Sequence, residues 1–151
     1  MKRFRFPLRP VAVVRAHLEL RAREAFGAAV HAFAQAEDQL AATRRRVAQL
    51  EASLFAGRNE RFSAAAAADA LVGHRRECAA ELEVEKAMIA ARTAMQQRRL
   101  EYVEAHRRLE AIHRLEAKAR AAHSLAANRE EQAEFDDFAG RRASRRAQVT
   151  L

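Results

Sequence analysis

Apolar side chains recur every seven residues at Phe26, Phe33, Leu40, Val47 and Leu54. Three residues after each of the first four stand Ala29, Ala36, Thr43 and Leu50, so all of these positions but Thr43 are apolar. An alternation of three and four is the seam of a coiled coil, narrower than the face a helix turns toward a globular core. A second seam runs through Met88, Ala91, Met95, Arg98, Tyr102, Ala105, Leu109, Ile112, Glu116 and Ala119, with Arg98 and Glu116 as its exceptions. A ridge of Leu82, Ile89 and Val103 is expected to widen it.

Breaks between these seams are few. The only glycines are Gly27, Gly57, Gly73 and Gly140, and no proline follows Pro10. Pro10 suits a first helical turn, where its missing N–H has no partner to lose. The first helix is expected over about 10–56. In AGRNERFS, residues 56–63, Gly57 can close that helix, Asn59 suits a turn and Ser63 can cap the next helical segment. The alanines leading to Gly73 leave room for a short separate helical piece at 64–72, within a break expected over about 57–73. A second helix is then expected over about 74–140, with a basic C-terminal end at 141–151.

Two heptad helices joined by a short break fold most simply as an antiparallel hairpin. The expected fold is therefore all-α: one coiled-coil domain over 1–151, a two-helix antiparallel coiled-coil hairpin forming an elongated rod. At 1.5 Å per residue the first helix is roughly 70 Å long and the second roughly 100 Å, so the second must overhang, bend or begin with a detached piece. Two unbroken helices in a parallel dimer are the alternative. Because small seam residues bury little area each, the hairpin is expected to be marginal alone and to rely on a partner.

Composition agrees with long helices. The chain of 151 residues holds 38 alanines, two isoleucines, one tyrosine and no tryptophan, far from the bulk of a globular core. The lone Cys78 excludes an intrachain disulfide and a cysteine-based zinc site, and suits a reduced, intracellular setting. No apolar run is strong enough to span a bilayer or to serve as a secretory signal.

Charge changes the picture more. The net charge of +8 lies wholly at the two ends: Lys2, Arg3, Arg5 and Arg9 before position 11, and Arg141, Arg142, Arg145 and Arg146 after position 138. Residues 11–138 carry 20 basic and 20 acidic side chains. An antiparallel hairpin is expected to gather these ends, with Phe4, Phe6 and Leu8, into one cationic docking tip. Other readings are solvated tails, a grip on phosphate backbones and a mitochondrial transit peptide. Few aromatics interleave the arginines and no nucleic-acid fold is recognisable, which weighs against nucleic acid.

Catalytic chemistry has no visible place. A two-helix rod offers no pocket, and there is no phosphate-binding glycine loop or glycine-flanked nucleophile. His106, Glu110 and His113 share a helical face, but a polar stripe on an exposed helix explains them. EEQAEFDDF, residues 130–138, lacks the glycine of a calcium loop and reads as a charged helix face. Cys78 reads as a small buried hydrophobe and Met88 and Met95 as core. No catalytic, cofactor-binding or metal-binding residue is expected, and no small-molecule substrate.

The two ends also resemble a known family. FRFPLRPVAVVR, together with the LELRAREAFGAAVHAFAQAEDQL stretch, resembles the aromatic, basic N-terminus of the flagellar export protein FliJ family as it enters its heptad helix. LEAIHRLEAKAR and NREEQAEFDDFAGRRASRR are similar to the family's ending, where acidic and apolar residues precede a small residue and a basic cluster. Pro10, Ala12 and Val13, and the alanine tract 64–68, depart from the family pattern. The resemblance implies a non-enzymatic component of the flagellar type III export apparatus. In that family a two-helix stalk enters the hexameric export ATPase, links it to the export gate protein and handles export chaperones. It further implies a cytoplasmic protein, peripheral at the inner face of the cell membrane through the apparatus, and monomeric when free. Arg3, Arg5, Arg9, Arg141, Arg142 and Arg145 are then the residues expected to meet the ATPase.

Overall fold

The structure, a computed structural model, describes residues 3–57 and 63–149, with side chains described up to 145. Two α-helices make up almost all of it: α1, Arg9–Gly57, and α2, Ala64–Val149. They pack against each other as an antiparallel hairpin, and no strand occurs among the described residues. α1 is described as far as Gly57. Ser63 caps α2, its Oγ accepting from the Ala66 N–H at 3.2 Å while its carbonyl accepts from the Ala67 N–H at 3.1 Å. Asn59 lies outside the described residues.

Two expectations about α2 need correction. The helix runs unbroken through Gly73, so the alanines at 64–72 are its first turns and not a separate piece. It also continues past Gly140, and residues 141–149 are helical instead of forming a separate basic end. A single glycine costs a helix about 1 kcal/mol relative to alanine, too little to stop one whose other residues favour it.

Packing divides the chain into two units: residues 20–104, and those before 20 together with those from 105 on. In the first, cross-helix partners run in opposite directions. Glu51 pairs with His74, Arg46 with Glu77, Arg44 with Glu81 and Glu85, and Phe26 stacks on Tyr102. The two rings are 6.0 Å apart and 9° from parallel. Among the described residues of this unit Leu40, Thr43 and Val47 are buried, and the seam positions on either side are half-buried. Thr43, at 2% exposure, tolerates burial because its Oγ1 donates to the Gln39 carbonyl at 2.9 Å and accepts from Arg46 Nη2 at 3.0 Å. Around it, Arg44 Nε donates to Glu81 at 3.0 Å and Nη2 to Glu85 at 3.3 Å, and Arg46 Nε donates to Glu77 at 3.3 Å.

Seam exceptions turn outward or find partners. Arg98 is exposed and donates to Glu101 at 2.9 Å, which with Gln97 holds that carboxyl below the usual carboxylate range. Met88 and Met95 are half-buried on the seam. Cys78 is half-buried too, its Sγ 3.6 Å from His74 Nε2. The expected widening ridge is corrected in part: Val103 is half-buried, but Leu82 and Ile89 face solvent. A two-helix interface has no third element to cover that side.

In the second unit the order is again antiparallel, with Glu19 3.4 Å from His106 Nδ1 and Phe4 against His123. Ile112 is its buried residue, flanked by half-buried Leu109, Glu116 and Ala119 on α2 and Ala12, Arg15 and Glu19 on α1. Glu116 accepts from Arg120 Nη2 at 3.2 Å.

This packing can be tested by two stability measurements. Leu40→Ala, at a site 5% exposed, should cost about 2–3 kcal/mol in thermal melts monitored by circular dichroism, whereas Leu82→Ala, at 59%, should stay within about 0.5 kcal/mol. Gly73→Ala should stabilise by about 0.5–1 kcal/mol, since a Cβ there meets nothing within 4 Å. A loss of stability at 73 would mean that α2 does not run through it.

Candidate functional site

Residues 3–8 precede α1 as a short arm whose side chains alternate. Phe4 and Phe6 are half-buried, and Arg3 and Arg5 are exposed. Its end is organised by two bonds: the Arg9 N–H donates to the Phe6 carbonyl at 3.2 Å, and the Ala12 N–H to the Leu8 carbonyl at 2.9 Å. Pro10 stands in that first turn, where no donor is needed. The Phe4 ring meets His123 edge-on at 5.4 Å and lies under the Arg120 guanidinium, 5.5 Å from the ring centre. Cation and quadrupole attract in this geometry.

An open depression of about 670 Å³ results, lined by Arg3, Phe4, Arg5, Phe6, Arg9, Glu116 and Arg120. Four guanidiniums face one carboxylate, so the surface is suited to an acidic ligand surface. Beside it, Leu8, Val11, Val14 and Leu18 are exposed at spacings that place them along one side of the chain. Arg120, Glu116 and His123 join this surface without having been expected from the sequence. Their signal there is a glutamate on an apolar seam with an arginine four residues on, a pair that stabilises a helix surface.

Arg141, Arg142 and Arg145 lie elsewhere. They are exposed on α2 around Phe138, lining a second depression of about 360 Å³. From Arg120 to Arg141 the helix climbs about 30 Å at 1.5 Å per residue. The expectation of one tip is therefore corrected: Arg3, Arg5 and Arg9 come together, Arg141, Arg142 and Arg145 come together, and the two groups stay apart. Lys2 lies outside the described residues, as does the side chain of Arg146.

Two members of the polar stripe at 106–113 are engaged in ordinary contacts. His106 faces Glu19, and Glu110 accepts from Arg114 Nη2 at 2.7 Å, a bond that holds the Glu110 carboxyl below its ordinary range. Among the described residues no three metal-ligating side chains converge.

A protein-family model described as the flagellar FliJ protein matches residues 4–148. The chain belongs to the FliJ family. Apart from Arg3, both candidate surfaces fall within the matched span. Comparisons with curated proteins and with solved structures each found no match. FliJ membership makes the chain a flagellar export component of a family that is generally non-catalytic, and the helical hairpin fits a coiled coil. Among the described residues, no helix is long and apolar enough to cross a membrane.

If Phe4 anchors the arm, Phe4→Ala should free it while leaving the helices intact. Trypsin should then cut after Arg3 and Arg5 several-fold faster (Arg9 is protected by Pro10), with little change in helical circular dichroism. Equal cleavage rates in the two proteins would show that the ring does not hold the arm.

Proposed function

We propose that this chain is a stalk of the export apparatus that docks into the hexameric export ATPase and links it to the export gate, with export chaperones as further partners. The observation that carries the reading is the arm depression, where Arg3, Arg5, Arg9 and Arg120 face a single glutamate at one end of a chain whose residues 11–138 balance in charge. An acidic lining in a ring pore is complementary to such a surface and gives orientation and on-rate more than affinity. Arg141, Arg142 and Arg145 form the second basic contact in this reading, reaching a different part of the same partner. The exposed line of Leu8, Val11, Val14 and Leu18 supplies an apolar element beside the first. Through these contacts the protein is cytoplasmic and peripheral at the inner face of the cell membrane.

Nucleic acid is the weaker fit for the same arginines. Phe4 already has the Arg120 guanidinium over its ring and His123 against it edge-on, which leaves less of the ring for stacking bases.

Charge reversal separates the contributions. Glutamates at Arg3, Arg5 and Arg9 should weaken co-purification with the ATPase at least about tenfold, and glutamates at Arg141, Arg142 and Arg145 should do so independently, each with an unchanged helical spectrum. Undiminished ATPase binding by both triple variants would rule the docking surfaces out. Retained ATPase binding alongside a steep salt-dependent loss of binding to DNA or RNA would favour nucleic acid.

A further inference from the structure

Beyond His123, no residue of α1 or of the arm is joined to α2 by a hydrogen bond, ion pair or ring contact among the described residues. The helix nevertheless continues to Val149. On this free stretch Glu131, Phe135, Phe138, Arg142 and Arg145 succeed one another at intervals of four, three, four and three. They therefore share one side of the helix, the spacing of a coiled-coil seam. Phe135 is 72% exposed and Phe138 66%, large apolar side chains left largely uncovered by the described residues. Glu131 and Glu134 border the two rings on one side, and Arg141, Arg142 and Arg145 border Phe138 on the other. None of these charges is joined in an ion pair among the described residues.

This stripe reads acid, ring, ring, base along the helix, and such an order is its own complement when reversed. We infer that the stripe is a self-association surface, on which a second copy of this chain docks antiparallel about a two-fold axis between Phe135 and Phe138. Phe135 of each copy then packs on Phe138 of the other, and Glu131 of each faces Arg142 of the other. A two-fold interface of this kind makes every contact twice. Parallel pairing is disfavoured by the same residues, because it sets Glu131 against Glu131 and Arg142 against Arg142. With two short helical stretches and four rings at its centre the interface is small, so association is concentration-dependent. This inference concerns the chain alone and stands whether or not the ATPase is its partner.

Sedimentation equilibrium and light scattering on the full chain at low ionic strength test it. The mass should rise with concentration from 17.0 kDa toward twice that value. Glu131→Arg and Arg142→Glu should each weaken association roughly tenfold or more, since each places like charges opposite one another twice. Mixing the two variant proteins in equal amounts should restore association, because each mixed pair again sets opposite charges face to face. The helical spectrum of each variant reports that it is folded. A mass that stays at 17.0 kDa up to about 1 mM overturns the inference. So does association that survives both reversals, or a mixture that associates no better than its components.

Discussion

Thr43 sits between Leu40 and Val47 with its hydroxyl committed to Gln39 and Arg46, while Arg44 and Arg46 reach across to Glu81, Glu85 and Glu77. Without contacts of this kind, two alanine-rich seams would have little to choose among registers. A heptad repeat looks the same after a slip of seven residues, about 10 Å, so apolar pattern alone leaves several alignments nearly equal. Individually such exposed ion pairs contribute only about 0.2–1 kcal/mol. Their weight lies in discrimination: a slipped register loses all of them and still has to accommodate a buried threonine. In the second unit Glu19 against His106 and Phe4 against His123 supply the corresponding discrimination.

What could be read from the sequence divides along this line. Which side of each helix faces inward is a local property, carried by the spacing of side chains. The seams at 26–54 and 88–119 emerge with their half-buried residues at the expected positions, and even the odd members, Arg98 and Glu116, are settled by neighbours three or four residues away. The Ser63 cap is local as well. Helix ends marked only by glycine are less secure. Gly73 and Gly140 stay helical because one unfavourable residue is outweighed by the alanines and arginines around it.

The offset between the helices is non-local, and the expectation that the basic ends converge depended on it. Counting charge placed the excess correctly at residues 1–10 and 139–151, but a count has no length scale. The arm meets α2 at Glu116–His123, which leaves the basic C-terminal run about a further 30 Å along the helix. Two surfaces of different character result. One is a folded depression with Phe4 pinned under Arg120; the other is a single helix whose rings and charges have no cover of their own.

That difference bears on how the two proposals meet in one molecule. Arg142 faces Glu131 in self-association and an acidic partner in docking, and one guanidinium cannot serve both at once. Self-association would then draw from the population able to dock through the C-terminal stretch, lowering apparent affinity by the fraction paired. The arm depression lies outside that competition, because none of its lining residues belongs to the stripe. Docking through the arm alone would therefore persist in a paired chain. A partner that also engages the C-terminal arginines would have to displace the second copy, and its affinity would depend on chain concentration with the opposite sign to self-association.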